Sequence, residues 1–243
     1  MKVYLNEVTG IADAITTMFF SKRSWTRDME SHIREVCDFV LDRHGRMNPY
    51  DESAAAVFQE YNNDWMDKLL RWGINHTTML EFIDLSFTVE GLHRGGQDDL
   101  DSHAKRFNNR IIRSSTRLST YGVEMSDWYK GKIVPTEVAL AALDMKMPKR
   151  LYYEGNDYIW TPNGYVLENM KENKDVLRGL YRLSIPSNFI FKCDLANYAH
   201  VIKQRGEHGT ANPEVKLCAE AQVQQLTEFQ PKITRDFLMQ VKM

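Results

Sequence analysis

The sequence predicts a mixed α/β (α+β) chain in which helices dominate and a few short strands are set between them. Three observations point that way. Apolar residues recur at helical spacing in 27–43, and again in 195–204 and after 213. Strand-like runs are short and well separated, at 2–8, 82–89 and 188–193. No internal repeat, low-complexity tract or linker divides the 243 residues, so a single domain over 1–243 is expected, with an irregular stretch at about 121–170.

Taken in order, Lys2 to Val8 alternates as a strand and Thr9-Gly10 ends it. A helix is expected over 11–20. A second over 27–43 carries Met29, Ile33, Val36, Phe39 and Val40 on one face, and Asn48-Pro49 breaks the chain after it. Asp51 or Ser53 can cap the next helix, which runs with interruptions to Trp72 and stops at Gly73. A polar turn over 75–78 leads into the strand-like run 82–89. Gly95-Gly96 and Asp98-Asp99 read as a loop, and 100–120 as a basic helix passing into a Ser/Thr-rich segment. Between 121 and 170, Arg150–Tyr153 and Tyr158–Trp160 suit a hairpin turning at Glu154-Gly155-Asn156-Asp157. Helices are expected over 174–182 and 195–204, and a long one starts near Pro213, whose fixed φ suits a first helical turn.

Composition narrows the classes of function. At 43% hydrophobic and 26% charged the chain can build an ordinary globular core, and a net charge of -2 argues against a polyanion as bulk partner. A local basic pocket for one phosphate is still compatible with that charge. No apolar stretch approaches the roughly 20 residues that span a bilayer, and the N-terminus lacks a signal-peptide pattern. The expectation is a cytoplasmic protein that meets neither nucleic acid nor membrane. Three widely spaced cysteines, Cys37, Cys193 and Cys218, suit free thiols in a reducing compartment better than a disulfide frame or a zinc site.

Three groups of residues could carry chemistry. Arg106, Arg110, Arg113 and Arg117 are spaced by four, three and four, which on a helix would stack them on one face among Ser114, Ser115, Thr116 and Ser119. Charged forks beside hydroxyls suit a phosphate, and a solvated basic helix face fits the spacing equally well. Arg182 precedes Ile185-Pro186 and a strand, and Arg205-Gly206-Glu207-His208-Gly209 follows a helix. Such an ending can bring charge to a pocket, or can merely cap a helix C-terminus. His76-Thr77-Thr78-Met79-Leu80-Glu81 stands before a strand and also reads as a capping box, with Thr77 or Thr78 as the cap and Glu81 as its reciprocal acceptor. The histidines have no metal-binding spacing, and no phosphate loop, dinucleotide fingerprint or nucleophile elbow is present.

The order of these groups resembles the flavin-dependent thymidylate synthases. The segments that carry the resemblance are HTTMLEFIDLSFTV, RFNNRIIRSSTRLS, RLSIP, NFIFKCDL, NYAHVIKQR and GEHGTANPEV, covering roughly 70–120 and 178–225. The family's Arg-His-Arg triplet is absent here, Leu118 replaces its usual tyrosine, and Asp194 or Asn197 stands at a flavin-contact position. The resemblance implies a small mixed or antiparallel sheet with long helices, and a homotetramer. It also implies FAD as cofactor, with methylenetetrahydrofolate and NADPH as co-substrates and a pyrimidine deoxynucleotide monophosphate as substrate. Carried over by position, Thr78, Glu81, Asn109 and His208 would contact the flavin. Arg106, Arg110, Ser115, Arg117, Arg182 and Arg205 would hold the nucleotide, with Arg205 against the pyrimidine and His76 beside it as the catalytic candidates. The implied reaction moves a one-carbon unit to C5 of a deoxyuridine monophosphate-type nucleotide. The altered central motif leaves room for a hydroxymethylase, or for a non-catalytic nucleotide-binding protein of the same fold.

Overall fold

The computed structural model describes residues 1–101, 110–115, 124–134, 136–161, 164–172, 182–207 and 211–242. Its strands are β1 (Lys2–Thr9), β2 (Asp84–His93), β3 (Arg110–Arg113), β4 (Arg150–Tyr153), β5 (Asn156–Thr161), β6 (Gly164–Leu167) and β7 (Pro186–Asp194). Its α-helices are α1 (Ile11–Ser21), α2 (Arg27–Val40), α3 (Ala55–Gln59), α4 (Asp67–Gly73), α5 (Arg94–Asp101), α6 (Thr136–Ala142), α7 (Leu195–Ile202), α8 (Pro213–Phe229) and α9 (Met239–Lys242). Strands β1-β2-β7-β3 form one sheet in that order, and β4-β5-β6 form a second. The mixed α/β class expected from the sequence is therefore what the chain adopts. It divides into two compact units, the larger holding Lys2–Val89, Asp99–Ile112 and Phe189–Met243, the smaller Met1, Glu90–Asp98 and Arg113–Asn188.

In the larger unit, α1 buries Ile11, Ala14, Ile15 and Met18, the i, i+3, i+4, i+7 stripe of an amphipathic helix. Thr26 starts α2 by accepting a hydrogen bond from the Met29 amide at 3.2 Å. That helix stops at Val40, short of the expected 43, because Leu41 turns extended and bridges to Met47. The Asp42 carboxylate holds the intervening turn by accepting the His44 and Arg46 amides at 2.8 and 2.9 Å. Asp51 caps the next run, as the sequence allowed. The interruptions expected in that run take the form of a π-helical segment, Glu60–Met66, between α3 and α4. In that segment Tyr61, Trp65 and Met66 are buried. Helix α8 opens with the Asn212 side chain accepting the Glu214 amide at 2.9 Å and Pro213 in its first turn, and it packs on β1. No helix among the described residues is long and apolar enough to cross a membrane.

The smaller unit contains most of the stretch expected to be irregular, and it is more ordered than that. Strands β4, β5 and β6 pair antiparallel, with Tyr153 opposite Asn156 and Trp160 opposite Tyr165. The β4–β5 turn lies at the expected place: Glu154 and Gly155 both take positive φ, 47° and 78°, the pattern of a type I′ hairpin. Helix α6 precedes this sheet and ends where Asp144 turns left-handed at φ 57°. Two expectations fail on residues that both units share. Gly95-Gly96 and Asp98-Asp99 lie within α5 rather than in a loop, because the Arg94 and Gly95 amides donate to the Ile185 and Leu183 carbonyls and start the helix. Residues 110–113 form a strand rather than a helix, and the next residue, Ser114, donates its amide to the Asn188 carbonyl at 2.8 Å. The expected helix at 174–182 lies, except for Arg182, outside the described residues.

Candidate functional site

The turn that carries His76, Thr78 and Glu81 is built in the larger unit from the end of α4. The Asn75 and His76 amides both donate to the Trp72 carbonyl, at 3.1 and 2.8 Å, and close that helix. The His76 ring meets Trp72 edge-on at 6.4 Å, while the Lys22 ammonium sits 3.9 Å over the same indole. Thr77–Phe82 then winds as a 3₁₀ turn around the buried Leu80, leaving Thr78, Glu81 and Phe82 exposed. At its exit the Ile83 carbonyl accepts the Leu195 amide at 2.8 Å. The capping box does not form. His76 occupies the cap position and makes no side-chain cap, and both threonines already lie inside the turn.

Helix α7 packs directly against this turn, so two motifs more than a hundred residues apart in sequence meet in the larger unit. Asp194 caps α7 by accepting both the Asn197 amide and its side-chain Nδ2 at 2.8 Å, with both residues buried. These two side chains therefore hold each other at the head of α7, rather than standing open to a flavin. Helix α7 runs on into a π-helical segment, Lys203–Glu207, which carries Arg205. The Arg205 guanidinium is three-quarters covered and lies 3.8 Å from the Asp99 carboxylate of α5. Arg110 opens β3 as an exposed side chain. The single helix face proposed for the arginines is thus absent at 110–113, where strand geometry sends Arg110 and Arg113 to opposite sides.

In the smaller unit, Ser114 Oγ lies 3.1 Å from Ser187 Oγ and accepts the Asn188 amide at 3.1 Å, fixing the backbone just before the exposed Ser115. Arg113 forms an ion pair with Asp98 at 2.9 Å. Arg182 forms one with Glu137 at 2.8 Å, and both side chains are mostly covered. Arg106, Asn109, Arg117 and His208 lie outside the described residues. The carboxylates Asp98, Asp99 and Glu137 are the members that sequence reasoning missed. Each meets its arginine only through the fold, and no local spacing announces such a pair.

All three thiols lie in the larger unit and are buried. Burial pushes Cys37 and Cys218 up to about 12, with the nearby Asp38 and Glu214 carboxylates adding to the effect. Cys193 is also raised well above an ordinary thiol, by burial and then by Asp194 and Asp84. A thiolate is the nucleophilic form, so none of these is poised to attack a ring carbon. In mildly alkaline buffer the folded protein should release far less than one equivalent of chromophore from an aromatic disulfide reagent, and all three thiols should react once denaturant is added. A full equivalent reacting quickly in the native state would restore a thiol route. Among the described residues no group of three or more His, Cys, Asp or Glu is placed to hold a metal ion.

No protein-family model matches this sequence, and no curated protein matches it. The fold does have solved relatives. Thymidylate synthase X (ThyX) of Helicobacter pylori, crystallised with FAD and dUMP, superposes with a TM-score of 0.52 at 12% identity, over 98% of this chain and 99% of that one. A second crystal structure of the flavin-dependent enzyme from that organism, also with FAD and dUMP, gives 0.49 at 13% identity over 95% and 99%. At such identity the likeness is one of fold.

Proposed function

We propose that this protein binds FAD and a deoxyuridine monophosphate-type nucleotide, and transfers a one-carbon unit from methylenetetrahydrofolate to C5 of the pyrimidine. The observation that carries the reading is the packing of α7, which leads to Arg205, against the exposed Thr78–Glu81 turn. That contact joins the two motifs in which the family resemblance is strongest, within a fold shared with a protein crystallised with FAD and dUMP.

The exposed residues of the turn fit a flavin. The Thr78 hydroxyl and Glu81 carboxylate can bind its hydroxyls, and the half-exposed Phe82 ring offers a flat apolar surface. When bound, the flavin supplies the hydride, with NADPH as its reductant. The chain's own contribution is positioning and charge. Arg205 presents a guanidinium that is partly desolvated, which strengthens its pull on an anionic pyrimidine. Arg182 and Ser115 are assigned to the nucleotide's phosphate, and His76 to a place beside the reacting ring. Buried thiols are consistent with this route, which needs no protein nucleophile.

The test is direct. After incubation with excess FAD and desalting, the protein should keep the flavin's visible absorbance, and calorimetry should detect dUMP. Arg205→Ala should weaken dUMP binding by roughly 1.5–3 kcal/mol, the range for hydrogen bonds to a charged group. Parent protein that takes up neither FAD nor dUMP would sink the proposal. One observation favours a second reading, a nucleotide-binding protein without catalysis: Asp194 and Asn197, one of which stands at a flavin-contact position by the resemblance, are buried and bonded to each other. Binding of dUMP without FAD would select it.

A further inference from the structure

We propose that Glu137 is a gate on Arg182: its carboxylate occupies the arginine's anion-binding edge, and Lys146 receives that carboxylate when an anion displaces it. The inference rests on the assignment of Arg182 to an anion and adds the device that controls it. Glu137 belongs to the first turn of α6, within the 121–170 stretch that lies outside the segments carrying the family resemblance. Its Oε2 accepts from Arg182 Nη2 at 2.8 Å, with the two side chains 19% and 27% exposed.

The pair is one-armed. A guanidinium and a carboxylate can form two parallel hydrogen bonds, yet Arg182 Nη1 and Glu137 Oε1 are both buried with no hydrogen-bond partner among the described residues. A buried donor and a buried acceptor left unsatisfied weaken the closed arrangement, because each carries a desolvation penalty that no bond offsets. A phosphate has several acceptor oxygens and can engage both nitrogens of the fork, so it competes with Glu137 on favourable terms.

The displaced carboxylate has somewhere to go. Glu137 lines a cavity of about 260 Å³ together with Leu140, Met145, Met147 and Trp160. Lys146 lines the same cavity and is the cation assigned to the displaced carboxylate. Asp144 lines the cavity as well, so Lys146 has a second carboxylate in the same wall. Two methionines allow the wall to adapt to either position of the side chain. The result is one carboxylate with two alternative cations, the minimum needed for a two-state element.

Calorimetry with dUMP and, separately, with inorganic phosphate on the parent, E137Q, K146A and the double variant tests the gate at low ionic strength. Removing the competing charge in E137Q should tighten anion binding about tenfold, the equivalent of about 1.4 kcal/mol. K146A, at an exposed position, should weaken binding severalfold by depriving the open state of its partner. In the double variant the lysine substitution should no longer matter, since the carboxylate it serves is gone. Should E137Q bind neither anion more tightly than the parent, the gate is refuted. Tighter phosphate without dUMP binding would uphold the gate and remove the nucleotide reading. Binding of both dUMP and phosphate that is equal in parent and E137Q would remove the gate and leave the nucleotide reading intact.

Discussion

Phe191→Ala should destabilise the protein by about 3–5 kcal/mol, the cost of emptying a large aromatic site in a packed interior. Phe191 has no exposed surface and lies on β7, an inner strand of the four-stranded sheet. The strand alternates: Phe189, Phe191 and Cys193 are buried while Ile190 is 48% exposed. On the neighbouring β2, Phe87 is buried and stacks on Tyr198 of α7 at 5.3 Å. Truncating Phe191 therefore removes side-chain volume from a region with little freedom to collapse. Ile190→Ala on the opposite face should cost less than about 1 kcal/mol, since much of its area is already in water. Denaturant unfolding of the two variants measures the difference. Equal losses would mean that the inner and outer faces of β7 have been assigned wrongly.

Gly10→Ala should lose about 2–5 kcal/mol, from two causes that can be separated. Gly10 has φ +79°, where an L side chain costs roughly 1–2 kcal/mol. A Cβ there would also stand 1.9 Å from the carbonyl oxygen of Phe82, and that backbone atom cannot rotate away. Forcing it aside adds about 1–3 kcal/mol of overpacking strain. Gly155 supplies the control, having φ +78° with no atom within 4 Å of the added Cβ. Gly155→Ala should show the conformational cost alone. Because the Phe82 carbonyl directly follows Glu81, the Gly10 variant should also bind flavin less well, whereas the Gly155 variant should not. Thermal melts and FAD titrations of the pair check both parts, and equal melting losses would contradict the close contact.

Much of the architecture is legible because it is written locally. Period and punctuation mark β1, α1, α2 and β7, and the first turn of α8 stands out at Pro213. The Glu154-Gly155 turn could be read because only a few residue types tolerate positive φ at both positions. What could not be read depends on partners distant in sequence. Glycines at 95 and 96 signal a loop, yet bonds to the Leu183 and Ile185 carbonyls start a helix there. Four arginines at helical spacing suggest a helix, yet β7 supplies the backbone partner for Ser114 and the segment before it extends. For the candidate site, His76, Thr78, Glu81 and Arg205 could be singled out from the sequence. The carboxylates that face the arginines could not, because acid–base pairing across α5 and α6 follows from tertiary placement alone.

The π-helical segments Glu60–Met66, Lys203–Glu207 and Ile233–Leu238 have an evolutionary consequence. A π turn bonds each amide five residues back instead of four, and so stores one residue beyond what the same turn of α-helix would hold. Such a turn is a length reserve: gain or loss of a single residue is absorbed inside it while both helix ends keep their places. A chain with several reserves can change length by single residues at those turns and still retain its fold. For Arg205 the reserve also sets direction, since the widened turn carries the guanidinium round the axis to a bearing that a regular α-helix starting at Leu195 would not give it.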